Sequence, residues 1–87
     1  MPQAIVEVVH AEGLHARPAA EFVKLANTFR STVRVGHAGR EVNGKSILGI
    51  LTLGISQGTT VVVTVDGEDE TVAFDALCQF LSERVEQ

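Results

Sequence analysis

Apolar positions along this chain switch period, from every second residue to every third or fourth and back. Ala4–Val9 is an apolar, β-branched run interrupted only by Glu7, and it reads as a strand broken by Glu12-Gly13. From about Ala16 to Phe29 the apolar residues Ala19, Phe22, Val23, Ala26 and Phe29 form one helical stripe. Pro18 fits only the first turn of that helix, where a missing N–H costs nothing, so the helix start is pinned beside His15. Thr32–Gly36 alternates again, Ala38-Gly39 turns, and a short strand near Arg40–Val42 follows. Ser46 can cap a short helix in which Ile47, Ile50 and Leu51 share a face, with Gly54 as its stop. Thr59–Val65 is the most strand-like stretch, turned by Asp66-Gly67. Glu68, Asp69 and Glu70 suit the positive start of a last helix, with Ala73, Ala76, Leu77, Phe80 and Leu81 as its stripe.

The order is βαββαβα. Four amphipathic strands and three amphipathic helices predict an α+β layer pair, with helices over one sheet face. The pattern alone leaves the strand order open among split βαβ arrangements.

Composition narrows the function classes. The 87 residues allow one domain, 1–87, with an aliphatic core, since Phe is the only aromatic at four copies. A net charge of −4, with no basic cluster and no Tyr or Trp, argues against nucleic-acid binding. No stretch resembles a signal peptide, and no apolar run approaches the roughly 18 residues of a membrane span. A cytoplasmic chain without membrane insertion is expected. Cys78 is the only cysteine and is expected to be a small buried residue.

The chemistry concentrates in Gly13-Leu14-His15-Ala16-Arg17-Pro18-Ala19-Ala20. This string puts a histidine at a helix cap, where the first backbone N–H groups lack internal partners and the dipole is positive. Such a terminus suits an anion, with the N–H groups of Ala16 and Arg17 as donors. The Arg17 guanidinium can bond phosphate oxygens in a bidentate way. A neutral imidazole nitrogen is a competent nucleophile near neutral pH. His15 is therefore the candidate phosphate acceptor, and Arg17 the candidate phosphate stabiliser. His10 and His37 lack such company and read as structural. No i, i+4 histidine pair or neighbouring cysteine supports a metal site.

Over essentially its whole length the sequence resembles the HPr family, the histidine-containing phosphocarriers of the bacterial phosphotransferase system. Gly13–Ala19 matches the family's active-site signature, and Lys45-Ser46-Ile47-Leu48-Gly49 matches its regulatory-serine signature. Leu53-Gly54-Ile55 with Gly58, and Gly67-Glu68-Asp69-Glu70, match at the expected spacing. The resemblance implies an open-faced β-sandwich, with a four-stranded antiparallel sheet in the order 1-4-2-3 and three helices on one face. It implies a monomeric phosphoryl carrier rather than an enzyme, without cofactor, that accepts phosphate on His15 Nδ1 from Enzyme I. His15 would then donate to the IIA components of sugar permeases. Ser46 would be the serine phosphorylated by HPr kinase/phosphorylase in species that have that enzyme.

Glu12 departs from the family pattern, which has a short polar residue before the glycine; a carboxylate there would repel phosphate unless turned away. Ile47 and Leu48 are expected to serve partner docking, because a helix of barely two turns buries only part of its apolar surface. Ile50 is expected in the core. Leu51 is expected chiefly there too, and is also counted with the docking surface. A nitrogen-related regulatory phosphocarrier of the same family is the nearest alternative. A structural or metal-binding small α+β module is the more distant one.

Overall fold

The computed structural model describes residues 2–82. Its elements run β1 (Gln3–Glu7), α1 (Ala16–Ala26), β2 (Thr32–His37), β3 (Arg40–Asn43), α2 (Ile47–Thr52), β4 (Thr60–Asp66) and α3 (Glu70–Ser82). The strands form one antiparallel sheet in the order β1-β4-β2-β3. The βαββαβα order and the strand order implied by the resemblance are both present.

The register explains why one face is buried. Val6 pairs with Val61, Val33 with Val65, and Val35 with both Val63 and Val42. Since side chains alternate across a strand, this alignment puts all of them on one face. There they meet Phe22 of α1, Ile50 of α2 and Leu77 and Leu81 of α3, all fully buried. The opposite face is open, with Gln3, Ile5, Glu7 and Arg34 exposed on it.

Two element ends and the burial of one residue differ from the sequence-based expectation. β1 ends at Glu7 rather than Val9, because Val9 turns its N–H to the Leu81 carbonyl of α3 at 3.0 Å. α1 ends at Ala26 rather than Phe29, where Asn27 Nδ2 and Thr28 Oγ1 donate back to the Val23 and Leu25 carbonyls. These side chains satisfy the last-turn acceptors and let the chain leave the helix. Leu51 is 39% exposed rather than core. α2 is only six residues long and presses one face onto β3, with Gly49 lying so close that an added Cβ would sit 3.2 Å from Val42 Cβ. Ile50 fills the space beneath α2, and Leu51 is left at the rim.

Cys78 is half-buried rather than buried, and desolvation, then the Asp75 charge, raises its thiol pKa. Asp69 stands at the start of α3 as expected, its carbonyl accepting the Ala73 N–H, and it has a second role. Its carboxylate accepts the Ser31 hydroxyl and the N–H groups of Arg30 and Ser31, clasping the β2 entry. The Ser31 hydroxyl, then the Arg30 N–H, hold its pKa at about 2, well below the ordinary value.

Candidate phosphate-accepting site

The segment before α1 is fixed by backbone contacts that leave little freedom. The Gly13 N–H bonds the His10 carbonyl at 2.9 Å, and the Leu14 N–H bonds the Ile55 carbonyl at 3.0 Å. Gly13 has φ +64°, and a Cβ there would lie 2.2 Å from the Ile55 carbonyl oxygen. Only glycine meets both demands, the left-handed backbone and the close approach. Leu14 is fully buried and anchors the turn in the core. The next residue, His15, is therefore delivered to the surface as the N-cap of α1.

His15 has extended backbone, φ −120° and ψ 162°, is exposed, and makes no capping hydrogen bond. Pro18, buried in the first turn, has no N–H. Ala16 and Arg17 are the first two helical residues, whose N–H groups have no acceptor within the helix. Arg17 is exposed, and the side-chain ion pairs among the described residues lie elsewhere, at Arg30–Glu68 and Arg34–Glu41. The first turn holds no acidic residue. His15, two open N–H groups and an unengaged guanidinium start one helix together, a set suited to a bound phosphoryl group. Glu12 is exposed on the preceding turn.

α2 lies against α1. Asn27 Nδ2 donates to the Lys45 carbonyl at 3.2 Å, and Lys45 Nζ donates to the Phe29 carbonyl at 2.7 Å, which ties the end of α1 to the start of α2. Ser46 caps α2 as predicted, its Oγ accepting the Gly49 N–H at 3.1 Å. Leu48 is 73% exposed and Ile47 38%, so with Leu51 they form an apolar strip on this helix.

The sequence reading missed the support beneath the site. The backbone of Ile55 and Ser56 forms the floor under Gly13, and Gln57 Nε2 donates to the Val9 carbonyl at 3.4 Å. The Leu53-Gly54-Ile55 signature is the signal that could have found it. The other histidines are engaged elsewhere: His10 Nε2 bonds the Phe80 carbonyl, and His37 Nδ1 lies 3.2 Å from the Thr60 carbonyl. Among the described residues no group of three or more His, Cys, Asp or Glu side chains is arranged to hold a metal.

Comparison with known proteins decides the family. The family model described as "PTS HPr component phosphorylation site" matches residues 2–83. The chain belongs to the HPr family. The phosphocarrier protein HPr of Xylella fastidiosa is 44% identical over 77 residues, covering 88% of this chain and 86% of that one. The HPr-like protein Crh of Bacillus subtilis is 46% identical over 85 residues, covering 98% of this chain and all of that one. The crystal structure of HPr from Bacillus anthracis superposes with a TM-score of 0.90 at 40% identity, covering 92% of this chain and 95% of the other. A crystal structure of B. subtilis Crh, described as a domain-swapped dimer, is 46% identical over the whole of both chains, yet its TM-score is 0.77. The shape thus lies nearer to that HPr, although the sequence is nearer to Crh. HPr proteins are phosphocarriers rather than catalytic enzymes, and their partners belong to the phosphotransferase system. No helix among the described residues is long and apolar enough to cross a membrane.

Proposed function

We propose that this HPr-family chain carries a phosphoryl group on His15, received from Enzyme I and passed to IIA components of sugar permeases. The observation that carries the reading is the exposed His15 that makes no cap bond at the start of α1, with the exposed Arg17 two residues on in the same first turn. An imidazole nitrogen attacks phosphorus, the N–P bond forms, and the donor's bond to phosphorus breaks with its electron pair going to the donor. Donation to the next protein reverses the step. The N–H groups of Ala16 and Arg17 and the Arg17 side chain stabilise phosphate charge, and transfer of this kind depends mainly on positioning and electrostatics.

The exposed strip of Ile47, Leu48 and Leu51 is the docking surface for these partners, since it is apolar and α2 packs against α1. Ser46 is the regulatory position, a target for HPr kinase/phosphorylase where that enzyme is present. Its phosphate would bring a charge of about −1.5 to −2 beside Ile47 and Leu48, while retaining acceptor oxygens for the Gly49 N–H. Partner binding would weaken without loss of the fold.

Incubation with Enzyme I and phosphoenolpyruvate, followed by intact mass and site mapping, tests the reading. An acid-labile phosphate on His15 is expected, and label retained by His15→Ala overturns the assignment. The 46% identity to Crh supports a second reading, a dimeric regulatory member of the family. Absence of transfer to any IIA protein, together with a dimer in light scattering, would favour that one.

A further inference from the structure

His10 lies upstream of the acceptor turn, and its residue type alone suggests no part in the chemistry. In the structure its half-buried ring bonds the Phe80 carbonyl through Nε2 at 2.7 Å. A carbonyl oxygen only accepts, so Nε2 carries the proton in either charge state. The ring also lies over the Phe80 ring, with centroids 4.7 Å apart and planes tilted by 33°. Phe80 in turn lies 6.1 Å, centroid to centroid, from Phe22, a fully buried residue of α1. The Val9 N–H bonds the Leu81 carbonyl, so two neighbouring residues bind carbonyls in the last turn of α3.

From His10 the path to the phosphate acceptor is short. Its own carbonyl accepts the Gly13 N–H, and Leu14 is then held by Ile55, one residue before His15. Among the described residues His10 supplies the one hydrogen bond that a side chain of the 8–14 segment makes; the other ties of that segment are backbone groups, apart from the 3.4 Å reach of Gln57 from outside it.

We propose that His10 is a positioning residue for His15, tethering the acceptor loop to the end of α3 through the Phe80 carbonyl and ring. Without the tether the loop gains conformations in which the His15 ring and the open N–H groups no longer meet one phosphate together. Transfer loses rate through misplacement rather than through lost chemistry. The inference rests on the carrier reading above and adds a residue remote from the reacting atoms.

Two variants separate its parts: His10→Phe keeps an aromatic ring and loses the donor, whereas His10→Gln keeps an N–H donor. Amide exchange read by NMR should accelerate about fivefold at Gly13 and Leu14 in His10→Phe and stay unchanged at Phe22 and Leu77. Its kcat for phosphoryl uptake from Enzyme I should fall about threefold to tenfold at constant KM. His10→Gln should recover most of both. Native exchange at Gly13 and Leu14 in His10→Phe overturns the proposal, as does native kcat despite faster exchange. If the native protein takes no phosphate from Enzyme I, the carrier reading fails, and unchanged exchange would still overturn the tether on its own.

Discussion

At the start of α2 the Ser46 hydroxyl accepts the Gly49 N–H at 3.1 Å, whereas at the start of α1 the His15 ring bonds no N–H of its helix. Both residues have the extended backbone of an N-cap, φ −112° and ψ 117° for Ser46 against φ −120° and ψ 162° for His15. The third helical residue makes the difference. In α2 it is Gly49, which offers an N–H to cap; in α1 it is Pro18, which has none. Pro18 thus removes one of the N–H groups a capping side chain would reach for, and the first two helical N–H groups have no acceptor within the helix. One helix start is capped by its own side chain, and the other is not. Under the proposed function the same dipole serves stability at the first and a phosphoryl group at the second.

The largest expected effect comes from replacing the open cap. His15→Ala should abolish uptake of acid-labile phosphate from Enzyme I and change stability by only about 0.5 kcal/mol, because the ring bonds nothing in the helix. A large fall in thermal midpoint would show that His15 serves α1 as Ser46 serves α2, and the contrast would break. Arg17→Ala should slow phosphoryl transfer about tenfold or more, with a similarly small change in stability. Unchanged transfer rates would remove the guanidinium from the site.

At the closed start the balance reverses. Ser46→Ala should lower stability by about 1 kcal/mol in denaturant unfolding and leave His15 phosphorylation nearly native. Ser46→Asp keeps a capping acceptor, so it should fold as well as the native protein while weakening Enzyme I affinity in titration calorimetry. A collapse of its thermal midpoint would mean that charge at Ser46 acts by unfolding α2 rather than at the docking strip.

The start of α3 offers a third and smaller test, because the Asp69 carboxylate is held by the Ser31 hydroxyl and the N–H groups of Arg30 and Ser31. Its folded pKa of about 2 lies below the ordinary 3.8, so the folded state favours the ionised carboxylate. That stability is complete above the unfolded value and is lost as pH falls from about 4 through 2. Asp69→Asn should be less stable at pH 7 and should flatten the acid limb of the stability profile. An unchanged acid limb would show that other carboxylates govern it.

Much of this molecule is written in short-range pattern. Period-two valines at 61, 63 and 65 mark the central strand's inner face, and Ala19, Phe22 and Ala26 mark the buried stripe of α1. The Ser46 cap and the open start at His15 are equally local, set by a hydroxyl, an imidazole and a proline within one turn of chain. Element ends were less legible. Val9 leaves the sheet because a carbonyl of α3 is nearby, and no residue adjacent to Val9 announces that. Leu51 looks like core by spacing, yet its exposure depends on how α2 settles against β3.

By itself the sequence determined which residues alternate, which repeat at helical spacing, and where a helix begins with a histidine before a proline. These properties depend on backbone geometry over a few residues, so they survive without knowledge of neighbours. Local pattern left the strand order open and the family resemblance supplied it, whereas only the tertiary structure decided that Ile55 supports Leu14 and that His10 meets Phe80 from 70 residues away. Such contacts form between segments that share no local pattern. Each is fixed by which surfaces the packed sheet and helices bring together, and that choice belongs to the whole core at once.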